Sequence, residues 1–69
     1  MTVGQNIKRH REEKGLKQIE LATMIGTSPT VISQWENEIF YPSLILLICL
    51  ADAFEITLDE LVGRTVKKK

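Results

Sequence analysis

The 69-residue sequence lacks the covalent and metal-based supports on which many small domains depend. Cys49 is its only cysteine, so no disulfide can form within the chain. His10 is its only histidine, and His10 and Cys49 together cannot supply the four ligands of a structural zinc site. A chain of this size buries only about 60% of its unfolded surface. Association with a second subunit is the support that remains open.

Long apolar runs and an export signal are also missing. The longest apolar run, residues 44–51, has eight residues, whereas a membrane span needs about 20. The N-terminal sequence MTVGQNIKRH has no apolar segment of the kind found in signal peptides. With a lone thiol, these features predict a cytoplasmic protein that does not enter a membrane.

Groupings that carry enzyme chemistry are absent from the sequence. It shows no nucleophile with a nearby base, no pair of carboxylates, no phosphate-binding glycine loop and no metal-ligand cluster. We therefore expect a protein that is not an enzyme and that uses no cofactor. No small-molecule ligand is evident either.

Charge is balanced in number but not in position. The formal net charge is zero, and no basic residue occurs between Gln18 and Gly63. This distribution predicts one basic and one acidic surface. We expect a domain over residues 1–63 and a basic, disordered tail over residues 64–69. The basic residues before Gln18 are Lys8, Arg9, Arg11, Lys14 and Lys17.

Alternating apolar and polar residues are absent, so the sequence predicts helices and no strands. Glycine, proline and serine divide it into five helical segments, which gives an all-α fold. The expected helices cover residues 3–14, 18–25, 28–37, 43–54 and 57–63.

The third predicted helix has one polar and one apolar face. Its polar face carries small hydroxyl and amide side chains, and Trp35 is the largest residue of its apolar face. The second and third helices are separated only by residues 26–28, a glycine-containing turn typical of a helix-turn-helix unit. A protruding helix about 10–12 Å across fits the major groove of DNA, which is about 12 Å wide.

At these residues the sequence resembles the lambda-repressor-like, or xenobiotic-response-element, helix-turn-helix DNA-binding domain. The segments IKRHREEKGLKQIELATMIGTSPTVISQWEN and YPSLILLICLADAFEITLDELV carry the resemblance, which covers about residues 3–62. It implies a five-helix bundle that binds double-stranded DNA. The matching positions are Arg11, Gly15, Leu16, Gln18, Leu21, Ala22, Gly26, Ser28, Ile32, Ser33, Trp35, Glu36, Pro42, Ser43, Leu47, Leu50, Ala51 and 58–61.

The resemblance also implies a role for individual residues. Arg11 would pair with Glu36 and tie the first helix to the end of the third. Gln18 would bond a phosphate, and Lys17, Thr27 and Asn37 would lie near the DNA backbone. The base-reading residues would be Ser28, Pro29, Thr30, Ser33 and Gln34.

Several positions depart from the family pattern, among them His10, where leucine is usual, and the loop 39–41, which lacks the usual basic residues. Lys17 stands where a serine or threonine usually caps the second helix, which removes a cap worth about 1 kcal/mol. Glu38 stands where glycine is common after the third helix. A left-handed backbone at Glu38 would therefore be strained by about 1 kcal/mol.

The fourth helix is apolar around nearly its whole circumference, which predicts burial on more than one side. We assign Leu44, Leu47, Leu50, Ala51 and Phe54 to the core. The remaining apolar residues predict a homodimer with contacts through Ile45, Leu46 and Cys49, bordered by Phe40 and Tyr41. A twofold dimer would prefer a palindromic operator.

The sequence thus predicts a dimeric, sequence-specific transcriptional regulator, a repressor of phage or bacterial type. The alternative is a protein-interaction module, such as an antitoxin or adaptor, that binds a different protein through the fourth helix. A stable dimer would favour the first hypothesis, and a monomer the second.

Overall fold

The computed structural model describes residues 2–63. The expected tail at residues 64–69 lies outside this range, so the proposed domain boundary stays a prediction. The described chain contains five helices and no strand, which confirms the predicted all-α fold. No helix in residues 2–63 is long and apolar enough to cross a membrane. The helices are α1 (Val3–Glu13), α2 (Gln18–Ile25), α3 (Pro29–Glu36), α4 (Leu44–Phe54) and α5 (Leu58–Val62).

Hydroxyl side chains begin four of these five helices. The hydroxyls of Thr2, Ser28, Ser43 and Thr57 each accept a hydrogen bond from the backbone N–H three residues later, at 3.1–3.3 Å. At the start of α2, Lys17 supplies no such cap, and only its own backbone N–H is satisfied, by Glu20 Oε1 at 2.8 Å. The predicted loss of a cap at Lys17 is therefore present in the structure.

All five helices contribute to one hydrophobic core. The side of α3 that carries Trp35 faces this core, and Trp35 is almost completely buried. Because α3 is held by that side, its opposite side is left at the surface. The buried apolar residues are Ile7, Leu21, Ala22, Ile32, Trp35, Leu50, Ala51, Phe54 and Leu61.

The core face of α4 is largely the predicted one, because four of its five assigned residues are buried or pack against the core. The fifth, Leu44, is 64% exposed, so that assignment is wrong. Leu46 was assigned to the outer surface, but it is partly buried and packs against the core. Since both leucines are equally apolar, the sequence pattern could not decide which of them borders the core face.

The start of α1 lies directly against the end of α3. A Cβ atom at Gly4 would overlap the carbonyl oxygen of Trp35 and would stand 2.9 Å from Cγ of Glu38. Glycine therefore permits the close approach of these two helices. The contact helps to fix the end of α3, where the helix leaves the core.

Glu38 has a left-handed backbone conformation, with φ of 62°. This is the conformation in which backbone strain was expected from the sequence. We expect Glu38→Gly to raise the free energy of unfolding by about 1 kcal/mol, because glycine adopts this conformation without a Cβ clash. Denaturation by urea measures the change. Glu38→Ala is the matched control, since it removes the same carboxylate but keeps Cβ. If alanine stabilises as much as glycine, charge rather than backbone strain explains the gain.

Candidate nucleic-acid interface

A tight turn joins α2 to α3. Gly26 ends α2 with φ of 78°, and the N–H of Thr27 donates to the carbonyl of Ala22 at 2.9 Å. Ser28 then caps α3, and Pro29 occupies its first helical position. A backbone N–H at that position would have no partner within the helix, so its absence in proline costs no hydrogen bond. The two helices pack directly on each other. The local chemistry thus produces the predicted helix-turn-helix geometry.

The predicted base-reading residues share one outward surface of α3. Ser28, Pro29 and Thr30 are exposed, while Ser33 and Gln34 are half-buried. None of the five is enclosed by the core. The structure therefore leaves this polar surface accessible to another molecule.

Hydrogen bonds already organise part of that surface. Asn37 Nδ2 donates to the backbone oxygen of Ser33 at 2.9 Å and to its Oγ at 3.3 Å. The same amide nitrogen therefore serves both oxygens of Ser33. A phosphate that accepts from Asn37 would compete with these contacts. The side-chain amide of Gln34 makes no hydrogen bond within residues 2–63.

A buried ion pair ties α1 to the end of α3. Arg11 Nε donates to Glu36 Oε2 at 2.7 Å, and a second guanidinium nitrogen donates to Oε1 at 3.2 Å. The third nitrogen donates to the carbonyl of Leu16 at 2.7 Å. The side chains of Arg11 and Glu36 are only 11% and 4% exposed. The hydrogen bond to Glu36 raises the pKa of the Arg11 guanidinium above its usual value, so Arg11 remains charged.

The same carboxylate also orients the first residue of α2. Gln18 Nε2 donates to Glu36 Oε1 at 3.1 Å, which turns the nitrogen of the amide toward α3. One N–H of Gln18 is used in this bond and the second is available to another acceptor. This contact was not predicted from the sequence, since no spacing rule relates positions 18 and 36.

The phosphate-binding candidates flank both ends of the reading surface. Gln18 and the exposed Lys17 lie beside the end of α3, because Gln18 bonds its last residue, Glu36. Thr27 is half-buried in the turn that precedes the start of α3. Groups that could hold a phosphate backbone therefore stand on either side of groups that could read bases.

A second feature is an apolar band between α3 and α4. Its side chains are between 45% and 74% exposed, with Ile45 the most exposed. Cys49 is half-buried and adjoins the band on α4. Of the predicted dimer residues, Ile45, Phe40 and Tyr41 belong to the band, whereas Leu46 does not. We define the band as Ile39, Phe40, Tyr41, Leu44, Ile45 and Ile48.

The helix-turn-helix family model matches residues 7–61, more than half of the chain. The chain belongs to this helix-turn-helix family. Its predicted resemblance to the lambda-repressor-like domain is thereby confirmed. The P22 c2 repressor, solved in complex with synthetic operator 9T, superposes with a TM-score of 0.87 at 29% identity. That match covers 94% of this chain and 98% of the repressor chain.

Two further family members are named as regulators of transcription. The chain is 36% identical over 63 residues to the transcriptional activator BcrR of Enterococcus faecalis. It is 38% identical over 63 residues to the immunity repressor of Bacillus phage phi105. Both matches cover 91% of this chain, but it spans only 31% of BcrR and 44% of the immunity repressor.

Proposed function

We propose that the chain is a dimeric regulator of transcription, of phage or bacterial repressor type, that binds a palindromic operator through α3. The observation that carries this proposal is the open polar surface of α3, held outward by the burial of Trp35. The family membership and the P22 c2 repressor–operator complex support it. The proposed role is binding, not catalysis, and the proposed location is the cytoplasm.

Base reading in this proposal relies on neutral groups. Sequence is read at base edges by donors and acceptors of defined geometry, and these need not be charged. The amide of Gln34 and the hydroxyls of Thr30 and Ser33 supply such groups at the surface of α3. α3 would lie in the major groove with this surface against the bases.

Phosphate contacts would position the helix. The donors at the two ends of α3 are the second N–H of Gln18, the ammonium of Lys17, the hydroxyl of Thr27 and the amide of Asn37. Arg11 is buried against Glu36, and Lys14 pairs with Glu55 at 2.9 Å, whereas Lys8 and Arg9 are exposed on α1. Because the formal net charge is zero, we expect weak non-specific binding, with an affinity that falls as salt increases.

Dimerisation would use the apolar band. Contiguous exposed apolar surface of this kind is typical of protein–protein contacts. The band begins at Ile39, with only two residues between it and the end of α3, so a twofold contact there would fix the separation of two reading helices. A separation of about 34–36 Å would match half-sites one helical turn apart.

The band also favours the second candidate function, an antitoxin-like or adaptor module. In that case the band would contact a different protein, and the chain alone would be a monomer. Light scattering on the purified chain distinguishes the two. A stable dimer supports the proposed regulator, whereas a monomer both with and without operator DNA supports the adaptor.

We expect two glutamine substitutions to have different effects on DNA binding. Gln34→Ala should relax specificity at one base position per half-site, a loss of roughly 1–3 kcal/mol of discrimination. Gln18→Ala should weaken binding to all sequences about equally, because a phosphate contact carries no sequence information. Titration of sites selected from a random DNA pool measures both effects.

Gln5→Ala is the matched control for this pair. It removes an exposed amide that accepts from the backbone N–H of Thr2 at 3.0 Å, so it should weaken the start of α1, where the resemblance assigns no DNA contact, and leave DNA binding unchanged. If Gln34→Ala and Gln18→Ala bind the selected site as well as the parent does, the assigned roles are wrong. A parent that selects no sequence at all would contradict the proposed function.

A further inference from the structure

The reading surface of α3 carries no charged side chain. Its members are a proline, two serines, a threonine and a glutamine, and the one charged residue within α3, Glu36, is buried against Arg11. Arginine or lysine is the commonest reader of guanine, and glutamate or aspartate accepts from cytosine. Neither side chain is present on this surface. A G·C pair would therefore meet none of its usual charged partners there.

The groups that are present match an A·T pair. Adenine presents an acceptor, N7, beside a donor, the N6 amino group, and the amide of Gln34 offers one donor and one acceptor to this pair. Guanine presents two acceptors at the same place, so the amide oxygen of Gln34 would face O6 without a hydrogen between them.

Hydrogen bonding within the helix adds a directional donor. Because Ser33 Oγ accepts from Asn37 Nδ2 at 3.3 Å, the hydroxyl hydrogen of Ser33 is free to point outward. This donor can bond adenine N7 or thymine O4, and it would bond guanine N7 or O6 equally, so it is compatible with an A·T pair without selecting it. The exposed ring of Pro29 and the methyl group of Thr30 offer apolar surface, which suits the C5-methyl group of thymine.

We propose that each operator half-site read by α3 is a run of A·T pairs, in which Gln34 holds one adenine and Pro29 and Thr30 contact thymine methyl groups. This inference rests on the proposed function, since it names the DNA sequence class that the same surface reads. It follows from which donors and acceptors the surface holds and from the charges that it lacks.

The test uses the full chain and a duplex selected from a random DNA pool. Each adenine of a half-site is replaced in turn by 7-deaza-adenine, which lacks the N7 acceptor. At one adenine per half-site we expect the affinity to fall about 10- to 100-fold. The same replacement should change the affinity of Gln34→Ala by less than about threefold, because the contact is already lost.

Thymine contacts are tested with deoxyuridine, which lacks only the C5-methyl group. Replacement at the thymine that Thr30 contacts should weaken the parent several-fold but leave Thr30→Ser almost unaffected, since that variant keeps the hydroxyl and lacks the methyl group. Replacement at a thymine that only Pro29 contacts should weaken both proteins equally. A selected half-site built on G·C pairs would overturn the inference and leave the proposed function intact. So would a 7-deaza effect of equal size in the parent and in Gln34→Ala. Failure to select any sequence would overturn the proposed function itself.

Discussion

Glu36→Ala is expected to lower the free energy of unfolding by about 3–5 kcal/mol, because it leaves the Arg11 guanidinium buried without its partner. The same carboxylate accepts from Gln18, so the substitution removes three hydrogen bonds at one junction. A loss of this size approaches the whole stability of a small domain. Urea denaturation followed through the fluorescence of Trp35, which is buried and is the only tryptophan, measures it.

A double-mutant cycle gives the control for this prediction. Arg11→Met and Glu36→Leu should each destabilise strongly, since each leaves one charge buried alone. The double variant Arg11→Met/Glu36→Leu removes both charges and should be more stable than the sum of the single losses predicts. Residual loss is expected, because the carbonyl of Leu16 and the amide of Gln18 then lack their partner. Purely additive losses would contradict the ion pair's role as a unit.

Helix boundaries were predictable because local chemistry determines them. Ser28, Ser43 and Thr57 satisfy backbone N–H groups only at the start of a helix, and Gly26 ends α2 in a conformation that other residues rarely adopt. The sequence therefore predicted α2 over its observed residues and the other helices to within one or two. These interactions lie within a few residues of each other, so no knowledge of the tertiary fold was needed.

The edges of the core face of α4 were not predictable in the same way. Leu44 and Leu46 are chemically identical, and the helix is apolar on nearly all sides. What separates them is the position of the neighbouring helices, since α1, α2 and α5 pack against α4 and none covers Leu44. Periodicity alone carries no information about which neighbour covers which apolar side.

The candidate site likewise contains some features that the sequence predicts and others that only the fold reveals. The polar face of α3 followed from helical spacing, and the Asn37–Ser33 contact could have been found from their separation of four residues, which places them on one face. The pairing of Arg11 with Glu36 came from the family resemblance. The bond from Gln18 to Glu36 needed the fold, because it joins the start of α2 to the end of α3.

Ile45→Asn is expected to convert the proposed dimer to a monomer. Ile45 is the most exposed residue of the apolar band, at 74%, and a twofold contact would contain two copies of it. Loss of about 1.5–3 kcal/mol of burial at each copy should raise the dimer dissociation constant at least about 100-fold. Light scattering across a range of concentrations measures the shift. The folded monomer should remain intact, since Ile45 contributes little to the core.

Ile19→Asn is the matched control, because Ile19 is 59% exposed on α2, outside the band. It should leave the dimer unchanged. DNA titration provides a second readout: Ile45→Asn should bind a full palindrome about 10²- to 10⁴-fold more weakly than the parent, since the two half-sites are no longer engaged together. On a single half-site the two proteins should bind equally. If Ile45→Asn remains dimeric, or if Ile19→Asn dissociates as well, the band is not the surface that joins the two copies, and the spacing of the reading helices must be set elsewhere.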